Sequence, residues 1–275
     1  MDGGTIKKSV REHYAAIARS GSSCCGPSAG GCCAPGGAQG LSLAVGYSEE
    51  EMAAVPDGAN LGLGCGNPLA HAELKEGDVV VDLGSGAGFD CFLAARKVGA
   101  RGRVIGVDMT PDMIEKARAN AAKTGVANVE FRLGEIEHLP VADNAADMVI
   151  SNCVINLSTD KPQVFREALR VLRPGGKLMV SDLVLTRPLP ESVRESVEAY
   201  AGCISGAMLK VDYLEAIREA GFNEVRIVGE SHYLIGSINP DTSELAALGE
   251  ALPTEDVAAA AESVVSVKVR AVKGP

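Results

Sequence analysis

The feature that most constrains the fold is an apolar run that ends abruptly in a glycine-rich turn. Residues 79–83 read Val-Val-Val-Asp-Leu, and glycine then occupies every second position as far as Gly88. A second apolar run follows at 104–107 and ends in Asp108. This succession predicts a buried parallel strand, a tight turn, a helix and a second parallel strand.

The turn and the carboxylate together predict a binding site for a small cofactor. Gly84, Gly86 and Gly88 lack a Cβ atom, so the turn can adopt conformations closed to other residues and can contact a ligand. Asp108 falls at the carboxyl end of the second strand, where open α/β sheets bind their ligands. A carboxylate at that place suits the two hydroxyls of a ribose.

The rest of the chain continues the alternation of strands and helices. Further strands are expected at 129–133, 147–152, 177–185, 224–228 and 264–272, and helices at 4–20, 88–98, 111–124, 160–172, 191–201 and 212–220. Ser48 and Glu51 have the spacing of a capping box and predict a short helix after them. The fold class is therefore α/β, a doubly wound (Rossmann-like) sheet, mostly parallel, whose last strand is antiparallel.

Length, charge and composition narrow the function. The chain has 275 residues and a net charge of −10, which argues against binding nucleic acid or an anionic membrane. No apolar run approaches the roughly 20 residues of a membrane-spanning helix, and residues 1–19 lack the apolar core of a secretory signal. We therefore expect a cytoplasmic protein, in which eight cysteines indicate metal, metalloid or redox chemistry.

Three of those cysteines stand where a substrate would lie. Cys153 directly follows the fourth strand, which in this topology neighbours the first, so we expect it to face the reactive end of a bound cofactor. Cys65 lies in a loop between glycines, and Cys203 lies between two late helices. Cys91 falls in the body of a helix and is expected to be a small buried apolar residue.

Two sets of motifs carry a family resemblance. The order Asp82-x-Gly84-x-Gly86-x-Gly88 resembles motif I of class I S-adenosylmethionine-dependent methyltransferases. Three further segments resemble the cysteine blocks of the arsenite S-adenosylmethionine methyltransferases: Gly64–Pro68, Ile150–Leu157 and Gly202–Ala207. The glycine turn is common to many methyltransferases, whereas the cysteine blocks are distinctive.

The resemblance implies a cofactor site for S-adenosylmethionine. Asp82 and the glycines at 84, 86 and 88 would hold its methionyl part, Asp108 its ribose, and Met109, Glu135 and Ile136 the surroundings of its adenine. The same cofactor site is expected to include Ser85, Gly134, Ser151 and Asn152.

The resemblance also implies that Cys65, Cys153 and Cys203 are the catalytic residues, holding trivalent arsenic as thiolate ligands. Soft sulfur ligands select thiophilic centres. Trivalent arsenic bound to three sulfurs keeps a lone pair that carries no proton, so its attack on a sulfonium methyl group needs no general base. Arsenous acid also brings hydroxides that leave as water with the thiol protons, so we predict almost no net proton release when arsenite binds.

On this reading the chain has four parts. Residues 1–20 form an amphipathic helix, 21–60 a flexible segment rich in cysteine and glycine followed by a short helix, 61–187 the S-adenosylmethionine-binding methyltransferase core, and 188–275 the arsenic-site helices and remaining strands. The expected substrates are small trivalent arsenicals, methylated for detoxification. An external thiol reductant, thioredoxin or glutathione, would return electrons after each transfer.

Alternatives remain open at the sequence level. The vicinal pairs Cys24-Cys25 and Cys32-Cys33 fit a disordered thiol-bearing loop, a zinc site or a redox relay. The family's upstream cysteine, which pairs with the equivalent of Cys65 during turnover, has no one-to-one match here. The alternative functions are a C- or O-methyltransferase of the quinone-biosynthesis type and a non-catalytic, thiol-rich metalloid-binding protein.

Overall fold

Seven strands form one sheet in the computed structural model, which describes residues 3–20, 37–194, 196, 200, 203–232 and 253–275. The strands are β1 (Val79–Leu83), β2 (Arg103–Asp108), β3 (Val129–Leu133), β4 (Ala146–Asn152), β5 (Leu172–Leu185), β6 (Phe222–His232) and β7 (Val264–Lys273). Their order is β3-β2-β1-β4-β5-β7-β6. Strand β7 is antiparallel to both of its neighbours, β5 and β6, and the other neighbouring strands are parallel to each other.

Helices cover both faces of this sheet. They are α1 (Gly3–Ser20), α2 (Gly37–Ala44), α3 (Glu49–Ala53), α4 (Phe89–Val98), α5 (Pro111–Thr124), α6 (Lys161–Val171), α7 (Glu191–Arg194), α8 (Lys210–Glu219) and α9 (Thr254–Ser263). Alternate residues of β1 serve opposite faces: Val81 belongs to the core beneath α6 and α8, and Val80 to the core beneath α4 and α5. Both strand faces are thus buried, which is why the parallel strands read as continuous apolar runs.

The predicted fold class is confirmed, and β4 lies beside β1 as expected. This pairing puts the ends of β1, β2 and β4 at one edge of the sheet, where the glycine turn, Asp108 and Cys153 all lie. The capping box is also confirmed, with Ser48 and Glu51 bonded reciprocally at the start of α3.

Some elements differ from the sequence expectations. The strand expected at 224–228 extends over the whole of β6, and α9 was not anticipated. Helix α2 begins at Gly37, inside the stretch expected to be flexible. The helix expected at 191–201 is described only as α7.

Helix α1 packs against α5 and reaches the carboxyl edge of the sheet. Its apolar side, which includes Val10 and Ile17, is buried, as its amphipathic pattern predicts. Lys7 on the same helix forms ion pairs with Glu135 at 2.7 Å and Glu137 at 3.1 Å. Every helix in the described ranges is too short or too polar to cross a lipid bilayer.

Candidate active site

A large cleft opens at the carboxyl edge of β1, β2 and β4. Its volume is about 1120 Å³, including space open to solvent at the mouth. Nine of the residues expected to bind cofactor or substrate line it: Asp82, Gly84, Ser85, Gly86, Asp108, Met109, Ile136, Asn152 and Cys153. The cleft is closed on one side by α1, which contributes Lys7, Val10 and Tyr14.

The glycine turn forms the floor of the cleft. At Gly84 φ is +66°, and an added Cβ would lie 2.3 Å from Val154 Cγ2. At Gly86 φ is +52°, and an added Cβ would meet no described atom within 4 Å. The turn therefore leaves space beside Gly86 for a ligand, while packing closes the space beside Gly84.

Asp108 is held in place by the backbone of this turn. Its Oδ2 accepts a hydrogen bond from the Gly86 N–H at 3.0 Å, and its Oδ1 accepts one from the Thr110 N–H at 2.8 Å. Burial raises the pKa of the Asp108 carboxyl, and these backbone hydrogen bonds oppose the shift. The carboxylate thus lies at the end of β2, where a ribose is expected.

Four residues assigned to the cofactor site lie outside the lining of the cleft. Gly88 has φ +96° at the start of α4, and an added Cβ would contact Phe92 and Phe131. Ser151 is fully buried within β4. Gly134 packs beneath Pro140, and Glu135 pairs with Lys7 near the surface. The structure thus brings these four close to the cleft without exposing them to it.

Two buried carboxylates, Asp82 and Asp90, line the cleft. The Tyr47 hydroxyl donates to Asp90 Oδ1 at 2.6 Å, and Asn152 Nδ2 donates to Asp90 Oδ2 at 3.1 Å. Burial raises the pKa of Asp90 to about 6 against these hydrogen bonds. Burial, followed by the charge of Asp90, raises the pKa of Asp82 well above its usual range. Such a pair favours a cationic ligand, which would stabilise both carboxylates in their ionised form.

Polar groups without a protein partner also line the cleft. Among the described residues, none bonds the Ser85 hydroxyl or the Asn60 amide nitrogen, although both atoms are buried. Asn60 is fixed in orientation because its Oδ1 accepts from the Ser42 hydroxyl and the Gly62 N–H, each at 3.0 Å. Buried polar groups are ordinarily bonded, so these two indicate a polar ligand in the cleft.

The structure brings the three candidate cysteines together beside the cleft. The Cys153 thiol is a neighbour of both the Cys65 and Cys203 thiols. The Sγ atoms of Cys65 and Cys153 and a carboxylate oxygen of Asp182 all lie within 4.8 Å of one another. The Cys203 thiol also donates to the Cys153 carbonyl at 2.9 Å. All three cysteines are buried, and the polypeptide segments that carry them are far apart in sequence.

Close packing of backbone fixes each cysteine. Cys153 and Cys203 have φ of +60° and +64°, a left-handed conformation that is uncommon outside glycine. Beside Cys65, an added Cβ at Gly66 would lie 1.9 Å from the Ser181 hydroxyl, so only glycine fits there. The Cys153 N–H donates to the Ser181 carbonyl at 2.8 Å, and the Cys65 thiol reaches the same oxygen at 3.6 Å.

The surroundings of Cys65 and Cys153 keep their thiols protonated. Burial raises the pKa of the Cys65 thiol. Hydrogen bonds with the Cys203 and Cys65 thiols, together with burial, raise the pKa of Cys153 well above its usual range. A site of this kind disfavours ligands that must displace thiol protons and favours one that supplies its own hydroxides.

The remaining cysteines divide into two groups. Cys91 is fully buried in α4, as expected. Its thiol also donates a hydrogen bond to Asp82 Oδ2 at 3.1 Å, so it has a polar contact as well as an apolar environment. The pairs at 24–25 and 32–33 lie outside the described residues.

Several residues that line the cleft are not predicted by the sequence motifs. Tyr47, Asn60, Asp90, Glu137 and Ser158 all line the cleft. Asp90 continues the two-residue spacing of Asp82 and the three glycines of the turn, and this spacing is a sequence signal for a second carboxylate in the cleft. Tyr47 and Asn60 come from the segment before β1 and carry no such signal.

Known proteins resemble this chain along most of its length. The family model described as a methyltransferase domain matches residues 74–221, more than half of the chain. The arsenite methyltransferase of Halobacterium salinarum is 53% identical over 227 residues, covering 80% of this chain and 58% of that protein. The arsenite methyltransferase of Aquipseudomonas alcaligenes is 45% identical over 172 residues, covering 60% of this chain and 49% of that protein.

A solved structure resembles it as well. The crystal structure of CrArsM, an arsenic(III) S-adenosylmethionine methyltransferase from Chlamydomonas reinhardtii, has a TM-score of 0.65 and 34% identity. The match covers 88% of this chain and 75% of that one. The chain therefore spans three quarters of the solved relative and about half the length of the curated relatives, at 58% and 49%.

Proposed function

Because the chain belongs to the arsenite S-adenosylmethionine methyltransferase family, we propose that it methylates trivalent arsenic bound by Cys65, Cys153 and Cys203. One observation carries the proposal beyond family membership. Three buried thiols from distant segments belong to one buried cluster, in which Cys153 lies next to both Cys65 and Cys203 and also lines the cleft beside the glycine turn. Three converging thiols suit arsenic(III) and have no evident use in a carbon- or oxygen-directed methyltransferase.

The residues of the cleft fit S-adenosylmethionine. The carboxylates of Asp82 and Asp90 would receive the cationic ammonium, and Asp108 would bind the ribose hydroxyls. The open space beside Gly86 and the unpartnered Ser85 hydroxyl and Asn60 amide support a polar ligand lying across the turn. Met109 and Ile136 would contact the adenine. When bound, the cofactor supplies an electrophilic methyl group on a sulfonium.

The thiols load the substrate by exchange. Each cysteine replaces one hydroxide of arsenous acid, so three As–S bonds form and three water molecules leave with the three thiol protons. The raised pKa values of Cys65 and Cys153 do not oppose this step, because no free thiolate is required. Zinc, by contrast, must displace protons, which makes its binding depend on pH.

The thiol cluster then positions arsenic for methylation. The three cysteines would hold arsenic with its lone pair toward the methyl group that the cofactor supplies, so that an As–C bond would replace the S–CH₃ bond and S-adenosylhomocysteine would remain. No proton moves, so the protein supplies alignment, which can contribute up to about 7–11 kcal/mol. Arsenic becomes pentavalent in this step, and an external thiol reductant such as thioredoxin or glutathione would return two electrons.

The direct test is an assay with labelled S-adenosylmethionine, arsenite and a thiol reductant. We expect labelled methylarsenicals from the wild-type protein. Replacing any one of the three cluster cysteines by serine should reduce this product at least about 100-fold, while the affinity for S-adenosylhomocysteine stays within about twofold. Cys91→Ser is the matched control and should still bind arsenite, because Cys91 lies in the core beneath α4 rather than in the thiol cluster.

The assay also separates the alternatives. A non-catalytic metalloid-binding protein would bind arsenite and form no labelled product. A methyltransferase of the quinone-biosynthesis type would form no methylarsenical, and its activity on a carbon or oxygen substrate would survive all three serine variants.

A further inference from the structure

Asn152 lies between the cofactor cleft and the thiol cluster, and its side chain touches both. It is the last residue of β4 and precedes Cys153. Its Oδ1 accepts a hydrogen bond from the Cys65 N–H at 3.1 Å, and its Nδ2 donates to the Gly66 carbonyl at 2.9 Å. One amide therefore holds the backbone on both sides of the Cys65 side chain.

The same amide reaches the acidic wall of the cleft. Asn152 Nδ2 also lies 2.9 Å from the Tyr47 hydroxyl and 3.1 Å from Asp90 Oδ2. The Tyr47 hydroxyl donates to the other oxygen of Asp90 at 2.6 Å. A continuous set of hydrogen bonds thus runs from Asp90 through Tyr47 and Asn152 to Cys65.

The residues of this network are closely packed. An added Cβ at Gly64 would lie 2.6 Å from Asn152 Nδ2, so the loop packs directly on the amide. The Tyr47 ring is buried and meets Phe89 edge to face, with 4.8 Å between ring centroids. On the other side of Cys65, its carbonyl accepts from the Ser266 hydroxyl at 2.8 Å.

We propose that Tyr47 and Asn152 are positioning residues that couple occupancy of the cofactor cleft to the placement of Cys65, so that a bound cofactor strengthens arsenite binding. The proposal rests on the proposed function. The Asn152 amide, assigned from sequence to the cofactor, already has protein partners at its oxygen and its nitrogen, which favours this linking role over a direct cofactor contact.

The physical reason lies in Asp90. A cationic ammonium beside this carboxylate keeps it ionised, and hydrogen bonds to an ionised acceptor are about twice as strong as neutral ones. Tyr47 and Asn152 are then held more firmly, and Asn152 holds the Cys65 loop in the geometry that arsenic needs. By linkage, bound arsenite must strengthen binding of the cofactor by the same factor.

Calorimetric titration of arsenite at pH 5, where the Asp90 carboxyl is largely neutral in the cofactor-free protein, tests the coupling in the wild-type protein. The titration is run without ligand, with saturating S-adenosylhomocysteine, and with saturating 5′-methylthioadenosine, which lacks the amino-acid part. We expect S-adenosylhomocysteine to strengthen arsenite binding by about fivefold or more. 5′-Methylthioadenosine should change it by less than about twofold, because no ammonium then reaches Asp90.

Tyr47→Phe removes one hydroxyl and keeps the ring. We expect the strengthening by S-adenosylhomocysteine to fall below about twofold. Tyr200→Phe is the matched control, since that hydroxyl bonds the carbonyls of Leu157 and Ser158 outside the network. It should keep the wild-type ratio.

The outcomes are distinguishable. Equal arsenite affinity with and without S-adenosylhomocysteine in the wild type overturns the coupling, and so does a wild-type ratio in Tyr47→Phe. If Tyr47→Phe is unfolded, Asp90→Asn decides the question, because it removes the ionisable acceptor of the network and should likewise bring the strengthening below about twofold. A wild type that binds no arsenite under any condition overturns the proposed function itself, and the coupling with it.

Discussion

At the residue scale, the site depends on backbone conformations that side chains rarely adopt. Cys153 and Cys203 are among the five described non-glycine residues with positive φ. Such conformations cost on the order of 1–3 kcal/mol and persist where the surrounding structure enforces them, often at functional sites. The sequence predicted positive φ at the glycines of the turn, because glycine alone adopts it freely. It gave no signal at the cysteines, whose backbone is set by contacts from distant segments.

Alanine variants of Gly86 and Gly125 distinguish the effect of backbone strain on stability from the effect of a lost ligand contact on cofactor binding. Both have positive φ, and an added Cβ at either meets no described atom within 4 Å. Alanine at either position should lower the free energy of unfolding by about 1–2 kcal/mol. Only Gly86 lines the cleft, so only Gly86→Ala should weaken S-adenosylhomocysteine binding, by about tenfold. Equal affinities in the two variants, measured by calorimetry, would remove Gly86 from the cofactor site.

At the element scale, the strands and the helices packed on the sheet followed from their apolar patterns. Helix α9 was not predicted because its run Val-Ala-Ala-Ala-Ala carries little amphipathic contrast, although Val257 and Ala260 belong to the same buried cluster as the three cysteines. Helix α2 was missed because small residues dominate its sequence. In both cases tertiary packing, which a local pattern does not contain, determines the helix.

Helix α1 offers an element-scale test through two neighbouring lysines. Lys7 pairs with Glu137, whose side chain is only 7% exposed, whereas Lys8 pairs with Glu12 at 3.9 Å on an open surface. Lys7→Ala should lower the free energy of unfolding by about 1–2 kcal/mol, because Glu137 loses its cation inside the protein. Lys8→Ala should change it by less than about 0.5 kcal/mol. Denaturant unfolding of both variants measures the difference, and similar values for the two would show that α1 is not held by Lys7.

At the scale of the whole molecule, strand order is what assembles the site. Because β4 lies between β1 and β5, Cys153 lines the same cleft as the glycine turn and also lies beside Cys65, whose loop packs on Ser181 of β5. The strand order inferred from the sequence predicted that Cys153 lies near the glycine turn. The hydrogen bonds of Asn152 and Tyr47 could not be predicted, since Tyr47 precedes the sheet by about thirty residues and its position depends on the folded whole.

The buried carboxyls of the cleft should make its affinity for a cationic ligand depend on pH. Asp90 has a pKa of about 6 in the free protein, so it is largely neutral below that pH and ionised above it. A cationic ligand prefers the ionised form, so affinity for S-adenosylhomocysteine should rise with pH and be about tenfold weaker at pH 5 than at pH 7. Asp90→Asn should flatten this part of the profile. Calorimetric titration across pH 5–8 measures it, and an unchanged profile in the variant would assign the pH dependence to another group.

The central claim is that three cysteine sulfurs bind one arsenic atom. Arsenic K-edge X-ray absorption of the arsenite-loaded protein, reduced beforehand, tests it most directly. We expect three sulfur neighbours and no oxygen in the wild type, and two sulfurs with one oxygen in Cys203→Ser. An arsenic atom that keeps oxygen neighbours in the wild type, or whose sulfur count is the same in Cys65→Ser, Cys153→Ser and Cys203→Ser as in the wild type, would contradict the account.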